Sequence, residues 1–119
     1  MSINKELLKG STSLLILYML SKQDMYGYQM TKKLESISDN TFTLKEGTLY
    51  PILHSLEKDN KVKSYIEETD SLRKRKYYSI TKDGLKLLSE KTKEWNLFST
   101  TINKVLGGEE LYEQSPCTC

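Results

Sequence analysis

Residues 46 to 60 read EGTLYPILHSLEKDN. Leu49, Ile52, Leu53 and Leu56 recur at helical spacing, so the stretch is expected to form a short amphipathic helix. Its front nevertheless carries Gly47 and Pro51, residues that weaken a helix interior by about 1 and 3 kcal/mol respectively. With the leucines turned inward, Gly47, Pro51, His54, Ser55 and Lys58 point outward, and Thr48 and Tyr50 flank them. With Thr48 as the cap, Pro51 falls in the first turn, where its missing N–H costs nothing. Gly47 then removes a side chain where the backbone would meet a phosphate, and the helix N-terminus offers that phosphate its unpaired N–H groups. The hydroxyls of Thr48 and Tyr50 add hydrogen bonds that fix position without reading sequence. The plainer alternative is a helix start that happens to use Gly and Pro.

On the C-terminal side, Lys58-Asp59-Asn60 ends this helix, since Asn tolerates the left-handed conformation of a helix exit. VKSYIEE (62 to 68) alternates, with Val62, Ser64 and Ile66 on one side. TDSL is expected to turn, and RKYYSI (75 to 80) alternates again, with Tyr78 and Ile80 inward. The pair makes a hairpin whose tip is the basic run Arg73, Lys74, Arg75 and Lys76. Thr81 suits an N-cap and Asp83 the positive end of a helix dipole. A long helix is expected from Lys82 to about Leu106. Leu88, Trp95 and Ile102 are spaced by seven, as are Phe98 and Val105, and Leu85 and Leu106 with Thr92 and Ser99 between. That stripe has the form of a helix–helix seam.

On the N-terminal side, QDMYGYQMTKKLESIS reads as a second helix, with Asp24 as a possible cap and Met30, Leu34 and Ile37 as its apolar stripe. SDNTFT separates it from the opening stretch. Lys5 to Lys22 is helical in pattern, and its second half, which includes Leu14, Leu15 and Tyr18, is apolar nearly all round. So small a chain has little interior for such a helix, so a second chain is expected to cover part of it.

The order is therefore three helices, a strand, a turn, a strand and a long helix. The fold class expected is mainly α with a small β-hairpin: a winged helix-turn-helix plus a long C-terminal dimerisation helix. The boundaries are 1–81 for the winged domain, 82–107 for the helix and 108–119 for a flexible tail. Such an arrangement places its third helix in the DNA major groove, with the wing beside it.

The bulk numbers agree with a single soluble domain of 119 residues, 29% of them charged. The longest apolar run, LLILYML at 14 to 20, is far short of the ~20 residues a membrane span needs. The start, MSINKELLKG, lacks a signal-peptide pattern, so a cytoplasmic location is expected. Cys117 and Cys119 read as incidental thiols on a tail that also carries Glu109, Glu110 and Glu113. With His54 the sole histidine, no metal site or cofactor is called for. The sequence holds no Ser-His-Asp set and no phosphate loop, so it is not read as an enzyme. The net charge of +2 decides nothing, but a local basic patch can serve nucleic acid. The competing reading is a winged-helix module that binds a protein partner, and it predicts no salt-sensitive affinity for any duplex.

Three separated motifs also resemble one family. Tyr26-Gly27-Tyr28, then Glu46-Gly47-Thr48-Leu49-Tyr50-Pro51-Ile52-Leu53 with Leu56-Glu57, then Lys76-Tyr77-Tyr78-Ser79-Ile80-Thr81 with Gly84, are similar in kind and order to the PadR-like transcriptional regulators. The likeness runs over about residues 7 to 106, and the single C-terminal helix resembles the family's short-chain branch. Members often carry basic residues where His54 and Ser55 stand, and usually Gly in place of Asn60. The resemblance implies a homodimer clasped through its first and last helices, with Leu14, Leu15, Tyr18, Leu88, Trp95, Phe98, Ile102 and Val105 at the interface. Double-stranded DNA would be bound through Tyr26, Thr48, Tyr50, Pro51, His54, Lys58, Arg73, Lys74, Arg75 and Lys76, with the basic run along or in the minor groove. Some short members hold flat aromatic compounds at the dimer centre, stacked on a tryptophan. Trp95 is the corresponding candidate for a planar aromatic effector, beside the simpler role of packing in the dimer core.

Overall fold

The computed structural model describes residues 3–68 and 73–107. In chain order these form α1 (Lys5–Lys9), α2 (Thr12–Lys22), β1 (Met25–Tyr26), α3 (Gly27–Ile37), α4 (Glu46–Lys58), β2 (Val62–Glu68), β3 (Lys74–Ile80) and α5 (Lys82–Leu106). The fold is a winged helix: α3 and α4 make the helix-turn-helix, and β2 and β3 make the wing. The turn expected at TDSL, the acidic tail and the two cysteines lie outside the described residues.

The expected first helix is two. α1 stops at Gly10, and α2 restarts after Ser11. The chain's own core absorbs much of α2, since Ile16, Leu17, Met19 and Leu20 are all buried. The apolar surplus that suggested a covering chain is thus smaller here than the pattern implies. Leu14 and Leu15 are half-buried, and Tyr18 is exposed.

The core lies between α2, α3, α4 and the inner face of the sheet, with Met30, Leu34, Leu49, Leu53, Val62 and Tyr78 at its centre. Two residues expected to face inward do not. Ile37 is 55% exposed at the last position of α3, and Ile66 is 61% exposed in the outer half of β2. The hairpin is joined by a third strand, in the order β1-β3-β2. Two residues are too short to show alternation, which is why β1 leaves no pattern in the sequence.

α3 and α4 end in the same way. After α3, Asp39 has φ 52°, Asn40 N–H donates to the Glu35 carbonyl at 2.8 Å and Asp39 N–H to Ser36. After α4, Asn60 has φ 62°, Lys61 N–H donates to the Leu56 carbonyl at 2.8 Å and Asn60 N–H to Glu57. Both are Schellman closures built on non-glycine residues.

The exit of the wing is fixed at Thr81. Its hydroxyl donates to the Lys61 carbonyl at 2.9 Å and accepts from Gly84 N–H at 2.9 Å, capping α5 as its sequence suggests. A Cβ at Gly84 would lie 2.6 Å from Ile80 Cγ1 and press on the Lys61 carbonyl oxygen, so this close approach requires glycine.

The described residues divide into two units, the first ending at Leu88 and the second beginning at Ser89. Within the first, Leu87 and Leu88 pack against the core. Within the second, α5 exposes Trp95, Leu97, Phe98, Ile102, Val105 and Leu106. The Trp95 and Phe98 rings lie 5.8 Å apart.

Candidate nucleic-acid interface

α4 begins at Glu46, three residues earlier than a Thr48 cap would allow. Lys45 takes the N-cap position without a side-chain hydrogen bond, and its carbonyl accepts from Thr48 and Leu49. Pro51 therefore stands inside the helix, at its sixth residue. The bond it fails to make would run to the carbonyl of Gly47. The outward stripe is as expected: Gly47, Thr48, Pro51, His54, Ser55 and Lys58 are all exposed. A Cβ at Gly47 would meet nothing within 4 Å, and its φ is not positive. Neither crowding nor backbone conformation inside this chain calls for glycine there.

Gly27 is the opposite case. A Cβ there would lie 2.7 Å from Tyr50 Cζ, so the start of α3 is pressed against the Tyr50 ring of α4. Tyr26, rather than Asp24, is the N-cap of α3, and Gln29 Oε1 accepts from its backbone N–H at 3.1 Å. Asp24 instead accepts a 2.7 Å hydrogen bond from the Tyr65 hydroxyl.

This packing gathers six of the ten candidate DNA-binding residues. Tyr26, Tyr50, Arg73, Lys74, Arg75 and Lys76, with Gly27 and Tyr28, line one open cleft of about 340 Å³. Thr48, Pro51, His54 and Lys58 are not part of it and stand on the exposed face of α4. Tyr50 links the two sets, its ring 6.4 Å from that of His54. Burial, and then the carboxylate of Glu46, push the Tyr50 hydroxyl up from its ordinary pKa and so further favour the neutral phenol.

All four residues of the basic run line this cleft, but their partners differ. Strand alternation sends Arg75 to one face of β3 and Lys76 to the other. Lys76 Nζ lies 4.0 Å from a Glu57 carboxylate oxygen of α4, and the other Glu57 oxygen accepts from Ser64 at 2.6 Å. Glu57 thus joins α4 to both wing strands, although so exposed an ion pair contributes at most about 1 kcal/mol. The Arg75 guanidinium lies 4.3 Å over the Tyr26 ring.

Four residues beside the site were not among the candidates: Tyr77 and Tyr65, which continue from Tyr26 across the outer face of the sheet, Asp24, which accepts from Tyr65, and Glu57. Alternation does put Tyr77 opposite in sense to the inward Tyr78, but their row needs the unseen β1.

A helix-turn-helix whose second helix shows a Gly-Pro-His-Lys stripe, beside a hairpin bearing cations, defines a winged-helix protein of the DNA-binding kind. The sequence profile of the PadR-like family of transcriptional regulators matches residues 16–90, more than half of the chain, and the chain belongs to that family. A transcriptional regulator from Clostridium thermocellum has a similar structure, with TM-score 0.78 and 35% identity over 86% of this chain and 96% of that one. A PadR-like transcriptional regulator from Bacillus cereus superposes with TM-score 0.76 and 35% identity over 88% of this chain and all of that one. An uncharacterised protein of Lysinibacillus sphaericus is 32% identical, covering 91% of this chain and 99% of its own length. The chain is a transcriptional regulator and not an enzyme. Among the described residues no helix is long and apolar enough to cross a membrane.

Proposed function

We propose that the protein is a homodimeric, cytoplasmic repressor that binds a near-palindromic operator and is released by a planar aromatic effector. The observation that carries the DNA reading is the shared cleft. Tyr50 of α4, Tyr26 at the end of β1 and the wing cations line one volume rather than opposite sides of the fold. α4 enters the major groove with its exposed stripe, and its uncapped N-terminus faces a phosphate. Dimerisation is supported by the row of apolar side chains that α5 leaves exposed at heptad spacing. A twofold pair sets the two α4 helices at half-sites about one helical turn apart, ~34 Å. It also brings two copies of Trp95 into one seam, where a flat ligand gains stacking and burial.

The test is a gel-shift over a salt series on the DNA upstream of the protein's own gene, with and without planar cationic drugs and phenolic acids. Binding should weaken steeply with salt. Lys74→Ala and Arg75→Ala should each weaken binding to all sequences and lower the salt slope by roughly one unit for each phosphate no longer neutralised. Salt-independent binding, or none, would remove the DNA reading and leave the protein-partner one.

A further inference from the structure

The sheet carries a row of tyrosines that its strand register dictates. Tyr26 of β1 pairs with Tyr77 of β3, and Tyr77 pairs with Tyr65 of β2. All three side chains therefore stand on one face. Tyr26 meets Tyr77 edge-on at 5.4 Å, and Tyr77 stacks on Tyr65 at 5.7 Å. One end of the row is fixed by the hydrogen bond from Tyr65 to Asp24. At the other end lies Arg75, two residues before Tyr77 and so on the same face. Glu67 is directly across from Arg75 in the register, yet the guanidinium lies over Tyr26 on the opposite side of the strand. Stacking occupies the face of a guanidinium and leaves the terminal N–H groups on its rim to meet a phosphate. Arg75 Nε is buried and has no hydrogen-bond partner among the described residues. The cleft over which it lies also holds Tyr50.

We propose that Tyr26, Tyr77 and Tyr65, anchored by Asp24, hold Arg75 in the cleft beside Tyr50, where it meets a DNA phosphate at the foot of α4 and does not enter the minor groove from the wing tip. Tyr77 and Tyr65 are positioning residues that act through Arg75. The inference rests on the DNA-binding reading and assigns a phosphate contact within it.

The experiment measures affinity for mixed-sequence duplexes of about three helical turns across a salt series. Arg75→Ala should lower the salt slope by ~0.9 and lose the same factor on A·T-rich and G·C-rich duplexes. Tyr77→Leu should weaken binding by up to roughly two- to fivefold, the scale of the Arg75–Tyr26 cation–π contact that Tyr77 braces edge-on, and move the slope towards that of Arg75→Ala. Tyr77→Phe, which keeps the ring, should behave as wild type. The double variant Tyr77→Leu/Arg75→Ala should bind no more weakly than Arg75→Ala alone. Asp24→Asn and Tyr65→Phe, both on the solvent side of the sheet, should show a smaller loss in the same direction, and they carry the test if Tyr77→Leu does not fold. Losses that multiply in the double variant, or an unchanged slope in Tyr77→Leu, Asp24→Asn and Tyr65→Phe alike, would overturn the row. A loss for Arg75→Ala confined to A·T-rich duplexes would put Arg75 in the minor groove and also overturn it. Failure of the wild type to bind any duplex would sink the DNA reading itself and this inference with it, an outcome distinct from the others.

Discussion

Gly47 and Gly27 are the same residue type in the same helix-turn-helix, with opposite reasons for being there. Gly27 is held by packing, because Tyr50 fills the space a side chain would need. Replacing it with Ala should displace that ring and cost about 1–3 kcal/mol in chemical denaturation. Gly47 faces open space. Gly47→Ala should therefore stabilise α4, by up to about 1 kcal/mol, while weakening binding to DNA. A stability gain with unchanged DNA affinity would make Gly47 an accident of the helix start. Tyr65 offers a residue-scale check of its own. The hydrogen bond to Asp24 comes first among the causes that push its hydroxyl from 10.0 to about 12. The folded state thus favours the neutral phenol. Its contribution is present below pH 10 and is lost as pH rises towards 12, the reverse of a carboxylate with a lowered pKa. Tyrosinate absorbance in the folded protein should show a late component that Tyr65→Phe diminishes.

The elements are held in place by a few local closures, and these decide how the wing is set against α4. Thr81, Lys61 and Gly84 form one such closure at the base of the wing. Gly84→Ala should cost about 3 kcal/mol, since the added methyl meets a backbone carbonyl that cannot step aside. A melting temperature within a degree or two of wild type would contradict this. What the sequence made legible follows from how each element is encoded. α4, β2, β3 and α5 have long periodic patterns, and the expected bounds agree with the observed ones to within a residue or two, apart from the start of α4. The break at Gly10 and the strand β1 were not legible, because one depends on a single glycine and the other spans two residues. The Thr48 cap was a preference of residue type, overridden where the chain enters α4 from the buried Leu44 and Lys45 takes the cap position. The candidate site was legible as two sequence clusters. That they share one surface was expected from the fold class; the packing of Tyr50 over Gly27 that draws Tyr26 into the cleft was not legible.

At the scale of the whole molecule, α5 leaves much apolar surface to solvent: Phe98 is 54% exposed, Leu97 71% and Leu106 76%. In the proposed dimer a second copy of the chain covers most of it. Ile102→Glu should convert a dimer to a monomer in sedimentation and weaken duplex binding by roughly 10²-fold, because two linked DNA-binding units become one. Planar dyes should quench the fluorescence of Trp95, the one tryptophan in the sequence, in the dimer and not in that monomer. Saturating dye with no quenching would leave Trp95 as packing alone. The most direct measurement is the mass of the complex formed on a duplex from upstream of the gene, followed over rising salt. Two chains on each duplex, and an affinity that falls steeply as salt increases, are the predicted result. One chain per duplex, or an affinity indifferent to salt, would contradict it.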